Sequence, residues 1–155
     1  MAILDPSELI QALPKGRRLM AFDVGTKRVG LAIVDPGLTI VSPIEALKRT
    51  QWSKDGPKLA ELIRYWGVGG LVVGLALNMD GSAGPSVQRC RAFARSLLEI
   101  ADLPLTFWDE RLSSYAAEDA MIEAGVKPAA RRASIDSAAA ALILRDMLAQ
   151  VATRK

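Results

Sequence analysis

Histidine is absent from this chain of 155 residues, and cysteine occurs once, as Cys90. These absences exclude a zinc site of histidine and cysteine, an internal disulfide and a histidine general base. Long apolar runs are also missing, since the longest, residues 138–144, is far shorter than the roughly 20 residues of a membrane-spanning helix. Acid–base or metal chemistry therefore has to come from carboxylates, lysines or water.

The amino terminus lacks the pattern of a signal peptide, because Asp5 and Glu8 interrupt the region where the basic and apolar stretches would stand. We therefore expect a cytoplasmic protein without membrane association. Its length fits one domain, and a composition that is 50% hydrophobic and 24% charged is typical of globular proteins. The net charge of +3 and the pI of about 9.2 favour a partner that carries phosphates.

Two apolar segments, residues 19–22 and 29–34, predict strands that are buried on both faces. The few residues between them cannot hold a crossover helix, so the strands are expected to pair antiparallel. Asp23 stands at the end of the first strand, with Lys27 and Arg28 beside it in the turn. Asp23 is either a turn former or a site carboxylate held on a rigid strand, and this segment alone leaves both readings open.

The remaining pattern predicts an α/β fold with a five-stranded mixed sheet, three antiparallel strands followed by two parallel ones, flanked by helices. Residues 39–45 predict the third strand, and Pro43 indicates a sheet edge. A helix capped by Ser53, a strand at 70–74, a helix beginning at Pro85 and a strand at 105–108 follow. Because strand and helix alternate there, the later strands are expected to run parallel.

The two ends of the chain are assigned more simply. Residues 1–16 carry a short helical pattern that ends at Pro14, and we expect a peripheral N-terminal extension there. Residues 17–155 are expected to form a single domain. Its last helices are predicted at 115–123 and from a cap at Ser134 to the carboxyl terminus.

Three carboxylates stand where chemistry is expected. Asp23 and Glu110 follow strands whose carboxyl ends share one edge of the sheet, the place where ligands collect in open α/β sheets. Asp136, predicted in the first turn of the last helix, shares a face with the apolar residues Ala140, Ile143 and Met147. A helix dipole would stabilise an exposed acid by about 0.3–1 kcal/mol, but burying a lone charge costs several kcal/mol. A cation shared by the three carboxylates removes that cost.

Oxygen ligands alone suit Mg²⁺ or Mn²⁺, and a pair of such ions about 4 Å apart can hydrolyse a phosphodiester without histidine. Basic residues predicted on loops near the same edge suggest a nucleic-acid backbone footprint, although each one alone reads as a solvated surface charge. They are Lys27, Arg28, Arg111, Lys127, Arg131 and Arg132. Asn78, in the loop after the fourth strand, could bond a base edge or a ribose hydroxyl.

Four ordered blocks of sequence carry a resemblance to a known family. They are DVGTKRVG at 23–30, VGLALNMDG at 73–81, DERLSS at 109–114 and IDSAA at 135–139. From about Leu19 to the last helix the chain resembles the YqgF/RuvX family of RNase H-like proteins. The resemblance implies an RNase H-like fold, metal-dependent cleavage of nucleic acid, a role in maturing the 5′ end of 16S rRNA, and acidic site residues at Asp23, Glu110 and Asp136.

Three other readings remain open at this stage. The chain could be a Holliday junction resolvase acting on branched DNA, which would be expected as a symmetric dimer. It could be an rRNA-binding factor without catalysis. The Asp-x-Gly-Thr motif at Asp23 also resembles the phosphate loop of sugar kinases and actin-like ATPases, but those bind ATP between two lobes. We favour pre-rRNA as the substrate and expect a monomer or a homodimer.

Overall fold

The structure, a computed structural model, describes residues 3–75, 84–109 and 128–153. In the last of these ranges, side chains are described for residues 137–151. The predicted helix at 115–123 and the predicted site residues Asn78, Glu110 and Arg111 lie outside the described residues.

Within these ranges the backbone forms a five-stranded mixed sheet with the strand order β3-β2-β1-β4-β5. The strands are β1 (Arg18–Val24), β2 (Arg28–Val34), β3 (Val41–Lys48), β4 (Val68–Leu75) and β5 (Leu105–Asp109). β2 is antiparallel to β1 and β3, whereas β4 is parallel to β1 and β5. The predicted α/β architecture is confirmed, including the edge position of the strand that contains Pro43.

Helices cover both faces of this sheet. They are α1 (Pro6–Ala12), α2 (Trp52–Tyr65), α3 (Pro85–Ile100) and α4 (Pro128–Thr153). Met20 and Phe22 of β1 pack in the cluster that includes α2 and α3, while Leu19 and Ala21 pack against α4. Burial on both faces explains why β1 and β4 read as continuous apolar runs. None of the helices in the described ranges is long and apolar enough to cross a membrane.

The segment before residue 17 is attached to the sheet. A capping box between Asp5 and Glu8 begins α1, and Leu9 of this helix is fully buried in the core on the α4 side. The amide of Leu4 donates a hydrogen bond of 2.8 Å to the carbonyl of Leu105, at the start of β5. The expected peripheral extension thus contributes a core residue, while a division of the chain at residue 17 stays a prediction.

The predicted cap of α2 is wrong. The helix begins at Trp52, so Ser53 lies inside it, and the N-cap residue Gln51 makes no side-chain capping bond. The buried carboxylate of Asp55 instead accepts hydrogen bonds from the amide (2.8 Å) and the hydroxyl (2.7 Å) of Thr50. The hydrogen bonds between Asp55, inside α2, and Thr50, before it, therefore fix how the chain enters the helix.

The last helix begins earlier than predicted, at Pro128 rather than after Ser134. Proline is favoured at the first position of a helix, and the alanines and arginines that follow are good helix formers. Arg131 and Arg132 consequently lie in α4 and not on a loop. Asp136 lies in the third turn rather than the first, beyond the reach of the helix dipole.

Candidate active site

Asp23 occupies the penultimate position of β1 and belongs to the α4 face of the sheet. Side chains alternate along a strand, and Leu19 and Ala21, four and two residues before Asp23, pack in the α4 cluster. The side chain of Asp23 is half-buried. Among the described residues, no hydrogen bond or ion pair engages its carboxylate. A carboxylate in this position is free to take a ligand.

Glycines flank Asp23 on both neighbouring strands. Gly30 of β2 is its antiparallel partner. On the other side, Phe22 pairs with Val73 of β4, so the next residue of β4, Gly74, lies beside Asp23. Cross-strand side chains stand only about 5 Å apart, so larger residues at these positions would crowd the carboxylate. Glycine at both positions places no cross-strand side chain beside this oxygen donor, which suits a ligand of Mg²⁺ or Mn²⁺.

A cavity of about 610 Å³ opens at this carboxylate. It is lined by Asp23, Gly25, Thr26, Lys27, Arg28, Gly30 and Lys48. The three cationic side chains are exposed, and Arg28 and Lys48 are direct cross-strand neighbours on β2 and β3. Positive charges this close attract an anion, so the site combines a carboxylate for a cation with basic groups for a phosphate. Lys48 was missed because the third strand was predicted to end at residue 45.

The β1–β2 turn that carries two of these cations has a defined geometry. The amide of Gly25 donates to the carbonyl of Arg28 at 2.9 Å, and a Cβ at Gly25 would lie 2.8 Å from that oxygen. Only glycine therefore fits this position without a shift of the turn. This close approach is the reason that the turn between β1 and β2 contains a glycine.

Arg49 supports the same turn from the end of β3. Its guanidinium donates to the carbonyl of Gly25 (2.8 Å), and its amide donates to the carbonyl of Lys27 (2.8 Å). The guanidinium also lies over the ring of Phe93, 5.8 Å from the centroid. Sequence reasoning missed Arg49 because its partner Gly25 is 24 residues away, and no local pattern signals the contact.

Ser137 anchors α4 beside this site. It is fully buried, and its hydroxyl accepts from the amide of Leu31 (3.1 Å) and donates to the carbonyl of Ile44. The β2–β3 ladder shifts register just before Leu31, and the serine bridges the two strands there. The contact brings this part of α4 to the stretch of β2 that pairs with the end of β1. Asp136, whose side chain is not described, precedes Ser137 in the chain.

The end of β5 lies at the same edge of the sheet. Trp108 pairs with Gly74, in the row of Asp23, and Asp109 pairs with Leu75. Only β4 separates β5 from β1, so the two strands are about 10 Å apart. Glu110 follows Asp109 in the chain.

The predicted site residues thus fall into three groups. Asp23, Lys27 and Arg28 line one cavity. The backbones of Arg131, Arg132 and Asp136 belong to α4. Asn78, Glu110 and Arg111 lie outside the described ranges. The three-carboxylate metal site stays a prediction, and the described part of the chain contains no cluster of three histidine, cysteine or acidic residues that could hold a metal.

Comparison with known sequences identifies similar proteins over almost the whole chain. A family model described as "RuvX: Holliday junction resolvase" matches residues 17–150. A protein of Roseobacter denitrificans named "Putative pre-16S rRNA nuclease" is 44% identical over 97% of this chain and 94% of its own length. A protein of Chelativorans sp. with the same name is 47% identical over 96% of this chain and 92% of its own length.

Solved structures with a similar fold include Holliday junction resolvases. RuvC of Thermus thermophilus, in complex with a Holliday junction substrate, has a TM-score of 0.57 and 15% identity, covering 88% of this chain and 97% of RuvC. The fowlpox virus resolvase has a TM-score of 0.50 and 18% identity, covering 85% of this chain and 99% of its own. At these identities the likeness shows the fold alone, which is RNase H-like.

Proposed function

The chain belongs to the RuvX family, and we propose that it is a nuclease that hydrolyses phosphodiester bonds of pre-16S rRNA to mature the 5′ end of 16S rRNA during ribosome biogenesis. The observation that carries this proposal is the cavity at the end of β1, where the Asp23 carboxylate lies among three basic residues. The nearly full-length relatives named for a pre-16S rRNA nuclease support the choice of substrate.

The basic residues of the cavity have a binding role in this proposal. Lys27, Arg28 and Lys48 hold the phosphates of the substrate backbone, with the Arg28 guanidinium able to bind two phosphate oxygens at once. Arg111, Arg131 and Arg132 are proposed to bind further phosphates along the RNA strand. Asn78 recognises a ribose hydroxyl or a base edge. The cavity thereby orients one phosphodiester over the carboxylate.

Asp23, Glu110 and Asp136 are the proposed ligands of Mg²⁺ or Mn²⁺. The two glycines beside Asp23 support this role, because neither places a side chain next to the carboxylate. When bound, such an ion supplies polarisation of a phosphoryl oxygen and activation of a water molecule. In this proposal Asp23 is mounted on a central strand, and Asp136 belongs to the helix that Ser137 anchors to β2 and β3.

A second candidate function is the resolution of Holliday junctions, which the description of the family model favours. A resolvase makes two cuts related by a two-fold axis and therefore needs two sites in a symmetric assembly. RNA cleavage requires one site, and a net charge of +3 is modest for a protein that holds four duplex arms. We therefore place the resolvase second.

Cleavage of the two substrates side by side separates these functions. We expect an RNA that spans the 5′ leader of 16S rRNA to be cut, and a four-way DNA junction to stay intact, at equal metal and salt concentrations. Symmetric cleavage of the junction with intact RNA would establish the second candidate instead. Cleavage of neither substrate would contradict the nuclease proposal itself.

A further inference from the structure

A groove of about 680 Å³ runs between the edge strand β3 and α2, next to the candidate site. It is lined by Glu45, Ala46, Leu47, Lys48, Thr50, Lys58, Glu61, Leu62 and Tyr65. Neither the family resemblance nor the proposed function assigns a role to this groove. Its position beside a nuclease site raises the question of what lies in it.

Lys48 connects the groove to the candidate site. This lysine lines both the groove and the cavity that contains Asp23. It is exposed at the end of β3, opposite Arg28 on β2. A polyanion bound by Lys27 and Arg28 can therefore pass Lys48 and enter the groove while its phosphates stay next to basic side chains.

The α2 wall of the groove presents side chains suited to a single strand of nucleic acid. Lys58, Leu62 and Tyr65 are spaced four and three residues apart, which places them on one helical face. Tyr65 is 76% exposed, and its ring meets Trp66 edge-on at 5.1 Å between centroids. An exposed aromatic ring next to lysines is the arrangement on which proteins stack unpaired bases.

Two carboxylates in the groove restrict the path of the strand. Glu45 lines the β3 side and Glu61 the α2 side, and both repel phosphates. The backbone is therefore expected to follow Lys48 and Lys58. The carboxylates can instead accept hydrogen bonds from ribose hydroxyls or base amino groups, which single-stranded RNA exposes.

We propose that the groove between β3 and α2 binds the single-stranded segment of RNA that leads away from the cleavage site, with Lys48 and Lys58 on its phosphates and Tyr65 stacked on a base. The inference rests on the proposed function and extends it, because it assigns the binding of substrate beyond the cleaved bond. A short RNA fills the cavity alone, and a longer one occupies the groove as well.

Binding of labelled oligouridylates, measured by fluorescence anisotropy with a chelator to keep the RNA intact, tests this proposal. For an oligomer of about 12 nucleotides, we expect Tyr65→Ala to weaken binding about 10-fold and Tyr65→Phe to change it less than about 2-fold, since stacking needs the ring and not the hydroxyl. An oligomer of about four nucleotides is too short to extend from the cavity at Asp23 to Tyr65 in the groove. Its binding should therefore not depend on Tyr65.

Lysine variants provide the second readout. Lys58→Gln should reduce the slope of log affinity against log salt by about 0.7, the contribution of one phosphate contact on a single strand. Lys15→Gln, at an exposed lysine before the opposite end of β1, should leave the slope unchanged. Glu61→Gln should strengthen binding, because it removes a repulsive charge. Unchanged thermal unfolding of each variant shows that the fold is retained.

Two results would overturn the proposal, and they differ in what else they affect. If wild-type protein binds the longer RNA but Tyr65→Ala and Lys58→Gln bind it equally well, the groove is not the RNA path, and the proposed function stands. If the wild-type protein binds neither oligomer, the proposed function fails together with the groove.

Discussion

Asp23 is set apart from other strand-end aspartates by its neighbours. The adjacent residue on each neighbouring strand is a glycine, and the other charged residues that line its cavity are basic. The sequence was sufficient to predict that Asp23, Lys27 and Arg28 lie together, because a short turn joins them. Lys48 and Arg49 could not be predicted in the same way, since their approach depends on the length and register of β3, which pairs Lys48 with Arg28.

Arg49 is expected to maintain the turn that carries Lys27 and Arg28. Replacing it with methionine removes the hydrogen bond to Gly25 and the contact with Phe93, which together are worth about 1–3 kcal/mol of unfolding free energy. We expect Arg49→Met to lower kcat for RNA cleavage about 10-fold, because displaced cations no longer orient the phosphate.

Arg95→Met, on the exposed face of α3, is the matched control for Arg49→Met and should leave cleavage unchanged. Urea unfolding of both variants separates the effect on stability from the effect on kcat. Normal cleavage by a folded Arg49→Met protein would show that the turn does not need this support.

Ser137 is expected to contribute strongly to stability. Ser137→Ala leaves the amide of Leu31 and the carbonyl of Ile44 buried without their side-chain partner, at about 1–3 kcal/mol for each group. Chemical denaturation should therefore show a loss of about 2–6 kcal/mol. Ser53→Ala is the control, because Ser53 is exposed and caps no helix; equal stability of the two variants would contradict this account.

For helices and strands, the periodicity of apolar residues predicted the presence of an element more accurately than its first residue. The start of α3 at Pro85 is confirmed. The start of α4 was wrong because Ser134, a favoured cap residue, lies within an alanine-rich segment that continues the helix. The predicted buried face of α4 is confirmed at Ala140, Ile143 and Met147, which are fully buried.

One carboxylate, that of Asp35, holds the turn between β2 and β3, which begins with Asp35-Pro36-Gly37. Asp35 accepts hydrogen bonds from the amides of Ile40, Thr39 and Gly37 and from the hydroxyl of Thr39. These bonds, led by that of the Ile40 amide, lower the pKa of Asp35 from its usual 3.8 to about 2.

The lowered pKa predicts a pH dependence of stability. Because the folded state favours the charged carboxylate, the turn stabilises the fold above about pH 4, and this stabilisation is lost as the pH falls towards about 2. Melting temperatures measured between these pH values should fall less steeply for Asp35→Asn than for the wild type. Identical pH profiles would show that the turn makes no such contribution.

For the whole molecule, topology determines where chemistry can occur. β1, β4 and β5 run parallel, so their carboxyl ends open at one edge of the sheet, where Asp23 and Asp109 stand. This rule needs only the order of strands and helices, which is why the shared edge was predictable from the sequence. The groove beside β3 was not predictable from the sequence, because it forms only when α2 packs next to the edge strand.

The proposed role of Asp23 in a divalent-metal site that cleaves nucleic acid is tested by measuring the rate of leader-RNA cleavage as Mg²⁺ is titrated. Glu99→Gln, which makes the same change from carboxylate to amide on the exposed face of α3, is the control. Cleavage by the wild type should rise with Mg²⁺ and saturate. Asp23→Asn should be slower by about 100-fold or more, because charge stabilisation by a metal is worth several kcal/mol. A folded Asp23→Asn protein that matches Glu99→Gln at every Mg²⁺ concentration would contradict the proposed role.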